Sequence, residues 1–87
     1  MTRVVNKNKE KYDVYVGRPS IFGNPYILKD ESERDLVIAR YKKYFYNRLE
    51  TDSEFKEKIL ELKNKTLGCF CSPRKCHGDV IKEYLDK

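Results

Sequence analysis

All three cysteines and the single histidine of this chain fall between positions 69 and 77, inside the stretch GCFCSPRKCHGD. Thiolates and an imidazole so close together suit two chemistries. In the first, Cys69, Cys71, Cys76 and His77 hold zinc, which takes sulfur and nitrogen ligands together in a tetrahedral site. A structural zinc would support a small core, since apparent binding free energies in finger peptides run to about 10–16 kcal/mol. Against it, Cys76 and His77 are adjacent, and neighbouring side chains point apart in most backbones.

In the second chemistry, CHGD opens a helix whose amides and macrodipole favour an anion. That position, with Arg74 and Lys75 beside it, is expected to lower the Cys76 thiol pKa and make it reactive. His77 and Asp79 are then the candidate acid and base, and Gly78 and Arg74 candidate ligand contacts. A thiol redox or transferase site on Cys71 and Cys76 is a weaker version of the same idea. A purely structural turn, with Cys69 facing the core as free cysteine often does, is the third reading.

A second segment, GRPSIFGNP, holds four of the chain's seven glycines and prolines within nine residues. Gly17 and Gly23 can take positive φ and let amides approach a ligand, while Pro19 and Pro25 stiffen the path. Arg18 and Ser20 supply donors for a phosphate or carboxylate, Arg18 bidentately. Asn24 can orient a base or sugar. The spacing matches neither a dinucleotide fingerprint nor a P-loop. The alternative is a proline-bounded turn in which Phe22 plugs the core.

Two short β-branched and aromatic runs, TRVV and DVYVG, read as strands that can pair as a hairpin. A helix is expected from near Ser32, with Ser32 and Asp35 as an approximate capping box. Its apolar stripe runs through Val37, Ile38, Tyr41, Tyr44, Phe45 and Leu49, with stacking of Tyr44 or Tyr46 on RNA as the lesser alternative to core packing. A second helix starts at TDSE, capped by Thr51 and Glu54, and buries Phe55, Ile59 and Leu62. KTLGCFC reads as a buried strand, and GDVIKEYLDK as a last helix turning Val80, Ile81, Tyr84 and Leu85 inward.

This order predicts one α/β domain over residues 1–87. Its expected form is a small Rossmann-like domain in two or three layers, a short sheet of about three strands with three helices. With the second and third strands parallel, both special loops leave their carboxyl ends and share one crevice.

Composition narrows the partners. The 87 residues carry a net charge of +5, which favours polyanions. Seven Tyr and four Phe argue against disorder. The polar start is no secretory signal, and no run approaches the ~20 apolar residues of a membrane span. The expected location is the cytoplasm, the host's if the chain is phage-encoded, and three cysteines in a reducing compartment lean toward metal or chemistry rather than disulfides.

The segments VYVGRPSIFGNPY and TLGCFCSPRKCHGDVI together resemble a small domain-of-unknown-function family of bacteria and their phages. Its members share a GRPS…GNP segment and a C-x-C-x-P-x-x-CHGD segment; the likeness spans residues 14 to 81 with a variable helical middle. The resemblance implies no reaction. It implies that Gly17, Arg18, Pro19, Ser20, Gly23, Asn24 and Pro25 belong with Cys69, Cys71, Pro73, Cys76, His77, Gly78 and Asp79. Family members often have Trp where Phe22 stands, so the aromatic is kept. The residues lead to one expectation, a crevice that binds a phosphate-bearing ligand such as a nucleotide or nucleoside derivative, with hydrolysis or transfer of part of it left open. The alternative is a zinc-stabilised module that binds nucleic acid or a host protein through its basic surface. The oligomeric state stays open.

Overall fold

The computed structural model describes residues 1–18, 20–26, 29–70 and 75–87. Three strands form a parallel sheet: β1 (Arg3–Asn6), β2 (Val14–Tyr15) and β3 (Thr66–Cys69), in the order β1-β3-β2. Three helices accompany them: α1 (Arg34–Thr51), α2 (Ser53–Leu60) and α3 (His77–Leu85). This is the expected α/β fold.

The first two strands do not form a hairpin. Each pairs in parallel with β3, Val4 and Val14 both opposite Leu67, and Val5 and Tyr15 both opposite Gly68. The apolar β3, with Leu67, Gly68 and Cys69 all buried, takes the central place that a parallel arrangement demands. Asp13 fixes the start of β2 beside it: its amide donates to the Thr66 carbonyl and its carboxylate accepts from the Thr66 amide, each at 2.8 Å.

Strand alternation divides the faces. Leu67, Cys69 and Val16 point into the core with Tyr41, Phe45, Leu49, Phe55, Ile59, Ile81 and Leu85. Burying each large apolar side chain contributes about 1.5–3 kcal/mol. On the opposite face the connection from β1 to β2 crosses β3 at Gly68, where a methyl would lie 2.7 Å from Tyr12 Cγ. The helices therefore cover one face and this connection the other, a two-layer arrangement.

The α1 stripe is as expected at Val37, Tyr41, Phe45 and Leu49, which are buried, while Ile38 and Tyr44 are half-buried. Both expected caps are displaced. Asp30, not Ser32, caps the first helical turn: its carboxylate accepts from the Ser32 amide at 3.0 Å, and a 3-10 turn (Glu31–Glu33) leads into α1. Asp52 caps α2 by accepting from the Phe55 amide at 3.0 Å. Thr51 instead ends α1, its hydroxyl donating to the Asn47 carbonyl four residues back.

α3 packs on β1 and β3, and α1 on α2 and α3. The chain start is fastened to the end of α3, where the Thr2 hydroxyl donates to Asp86 at 2.9 Å. Among the described residues no helix is long and apolar enough to cross a membrane.

Candidate ligand crevice at the carboxyl edge of the sheet

Parallel strands put the ends of β1, β2 and β3 on one edge. The GRPS loop leaves β2 there, and α3 starts there after the cysteine segment. One hydrogen bond joins the two: His77 Nε2 donates to the Val16 carbonyl at 2.6 Å. A carbonyl only accepts, so it fixes the proton on Nε2 and leaves Nδ1 with a free lone pair.

Four influences set the charge of this ring. Burial holds its pKa below the ordinary histidine value, the Arg18 guanidinium lowers it further, and the Val16 carbonyl and Asp79 oppose both. His77 is thus neutral near pH 7, with Arg18 close enough to act on it.

Tyr41 braces both sides of this junction. Its ring stands edge-on to His77 at 5.1 Å, and its hydroxyl donates to the Phe22 carbonyl at 2.9 Å. Burial keeps that hydroxyl protonated far above its usual range, so it remains a donor. Within the loop, Ser20 N donates to Gly17 O at 2.9 Å and Gly23 N to Ser20 O at 3.0 Å, making two successive turns. The Tyr15 hydroxyl donates to the Arg18 carbonyl at 2.8 Å. Ser20 Oγ is buried with no hydrogen-bonding partner among the described residues. Such a hydroxyl is costly to leave unsatisfied.

Several expected roles change. Gly17 and Gly23 do not have positive φ. Their requirement is space: a methyl on Gly17 would meet the Tyr15 ring at 2.6 Å, and one on Gly23 the Arg18 Cγ at 2.9 Å. Asn24 spends its carbonyl oxygen on the Tyr26 amide at 2.9 Å, leaving its amide nitrogen as the group that can donate outward. Asp79 caps its own helix, one carboxylate oxygen accepting from the Cys76 amide at 3.1 Å. Gly78 is buried, with room for α3 to approach β1: a methyl there would lie 3.1 Å from Val4 Cγ1.

Cys76 departs furthest from the sequence expectation. Its side chain is buried in the core, 3% exposed, with its sulfur 3.2 Å from that of Cys69. The hydrogen bond with Cys69, then burial, push the thiol pKa up rather than down. The thiol is not presented to solvent: it lies in the core against Cys69, and the helix-start amide at Gly78 acts on it only as a smaller, lowering influence.

Cys71 and Arg74 lie outside the described residues, as do Pro19 and Pro73. Among the described residues no three metal-ligating side chains gather. Cys69 and Cys76 are the pair that could share a metal, while His77 has already committed Nε2. Of the sequence candidates, the fold brings Gly17, Arg18, Ser20 and His77 to one edge and turns Cys69 and Cys76 away from it.

The bracing roles of Tyr41 and Arg34 escaped the sequence reading, which placed Tyr41 only in the apolar stripe of α1. Arg34 holds Glu31 through two nitrogens, at 2.7 and 2.8 Å, and donates to the Lys75 carbonyl at 2.8 Å, bracing the approach to α3. Nothing in a helical apolar stripe marks Tyr41 as the residue whose hydroxyl reaches the loop.

Comparison with known proteins agrees with the family suggested by the sequence. Over residues 2–87 the chain matches the family described as "Domain of unknown function (DUF4326)". It is 37% identical over 87 residues to the "Uncharacterized 12.4 kDa protein in nrdA-td intergenic region" of Enterobacteria phage T4, covering 100% of this chain and 80% of that protein. It is 31% identical over 96 residues to "Uncharacterized protein R718" of Acanthamoeba polyphaga mimivirus, covering 87% of this chain and 70% of the relative. No solved structure matches it. The chain belongs to the DUF4326 family, whose relatives here are phage and viral proteins.

Proposed function

We propose that the protein binds a phosphate-bearing small molecule, a nucleotide or nucleoside derivative, at the carboxyl edge of its sheet. The observation that carries this reading is the 2.6 Å bond from His77 to the Val16 carbonyl, which joins the start of α3 to the loop that bears Arg18. Arg18 would hold the phosphate, bidentately where geometry allows. Ser20 Oγ, buried and without a partner among the described residues, would gain a bond. The Asn24 amide nitrogen would donate to base or sugar.

Turnover, if present, would hydrolyse or transfer part of the ligand with His77 Nδ1 as the proton acceptor. Cys76 is too buried for that part, and Asp79 serves His77 and the cap. The test is a thermal-shift and calorimetric panel of nucleotides against inorganic phosphate. Binding at 100 times Kd stabilises by about 2.7 kcal/mol. Arg18→Ala should abolish the stabilisation and leave the unliganded melting temperature unchanged. A panel with no stabilising nucleotide would end the reading.

The buried Cys69–Cys76 sulfur pair supports a second reading, a zinc-stabilised module that binds nucleic acid or a host protein. Elemental analysis separates the two. About one zinc per chain, with unfolding on chelation, supports the module. Metal-free protein that stays folded in chelator supports the crevice.

A further inference from the structure

None of the proposed crevice residues lines a separate groove on the outer side of α1. A groove of about 640 Å³ runs along the outer side of α1, between that helix and Tyr26. Arg40, Lys43, Tyr44, Asn47 and Glu50 share one helical face at spacings of three and four. From Arg40 to Glu50 the helix rises about 15 Å.

The charges of α1 are sorted. Arg34, Lys42 and Arg48 are ion-paired with Glu31, Glu83 and Asp52 at 2.7, 3.6 and 3.3 Å. Arg40 and Lys43, the two cations that line the groove, have no acidic partner among the described residues. The aromatics are sorted too. Tyr26 is 38% exposed and stands at right angles to Tyr44, 6.3 Å between ring centres, and both rings line the groove. Tyr46 lines the groove's wall, with the Lys87 ammonium 5.3 Å from its ring.

We infer that this groove binds single-stranded nucleic acid, with bases against Tyr26 and Tyr46 and backbone phosphates on Arg40 and Lys43. Stacked aromatics with interleaved cations suit a single strand because every base has a π-face and every linkage a charge. A duplex keeps its bases stacked on one another and would meet only the two cations. Asn47, between them, can donate to and accept from a base edge. Glu50 repels phosphate, which places the backbone toward the Arg40 end. This surface is independent of the crevice, so either assignment can fail without the other.

The test is fluorescence anisotropy with labelled single-stranded oligonucleotides of about 12 residues, deoxy and ribo, and a duplex of equal length. Binding of either single strand, with the duplex much weaker, supports the inference. Tyr26→Ala should weaken binding about five- to a hundred-fold. The double variant Arg40→Gln/Lys43→Gln, at two exposed positions, should make the log–log salt dependence shallower by about 1.4, or ~0.7 per lost phosphate contact. Circular-dichroism melting curves matching the parent protein would confirm that both variants fold. No binding of either strand at about 50 mM salt would overturn the inference. So would equal binding of the duplex, or a double variant with parental affinity and salt slope.

Discussion

Cys76 and His77 are neighbours in the chain and belong to different parts of the molecule. Cys76 turns into the core against Cys69, and its thiol pKa is pushed up. His77 turns to the sheet edge, donates from Nε2 to the Val16 carbonyl, and stays neutral because it is buried and, to a smaller degree, because Arg18 acts on it. The difference shows that a cluster of soft ligands in sequence need not be a cluster in space. Where a strand end and a helix start meet, consecutive side chains diverge, one packing and the other free to meet a ligand.

Substitutions should divide the same way. The largest effect is expected at Tyr41, which touches both sides. Tyr41→Ala removes a fully buried ring and the bond to Phe22, and denaturant titration should show a loss of about 3–5 kcal/mol. Cys76→Ser places a hydroxyl in an apolar site and should cost about 1–3 kcal/mol, with no loss of ligand response in whatever fraction stays folded. Equal loss of stability and binding would erase the proposed division.

A smaller effect is expected from pH. The fold disfavours charge on His77, whereas the unfolded chain takes up that proton near the ordinary value of 6.5. The unfolded state then holds more protons, so stability is full above about pH 6.5 and falls as pH drops toward the depressed folded value. The slope should not exceed about 1.4 kcal/mol per pH unit, and the loss levels off below the folded pKa. His77→Gln should remove this limb. The carboxylates of Asp52 and Asp86, whose pKa values lie below 3.8, give a separate loss at pH below about 4 that should persist. The smallest stability effect belongs to Arg18→Ala, within about 0.5 kcal/mol. Its effect on ligand response should be complete.

The sequence carried the fold class and the buried stripe of α1, because Val37, Tyr41, Phe45 and Leu49 recur every four residues and periodicity is local. The caps slipped because Asp30 and Ser32, or Thr51 and Asp52, are all good capping residues, and the choice depends on where the chain departs from the helix. The parallel pairing of β1 and β2 with β3 was hidden, since it rests on contacts some sixty residues apart, such as Val4 with Leu67. The Cys69–Cys76 contact spans only seven residues and was hidden for another reason: it depends on which way each thiol turns where the strand ends and the helix begins. The glycine positions were legible, but not their reason: Gly17 and Gly23 make room for Tyr15 and Arg18 rather than supply unusual φ. The meeting of the two motif loops followed from parallel strands alone, and the His77–Val16 bond realises it.

The most direct test of the central claim is a pH titration of the His77 ring by NMR, with and without a nucleotide. Without ligand the ring should titrate below 6.5, as the Nε2-protonated tautomer. A phosphate seated on Arg18 would offset the guanidinium and raise the ring's pKa, with accompanying shifts at Val16 and Ser20. A ring that titrates at 6.5 or above, or one indifferent to every nucleotide tried, would contradict the account.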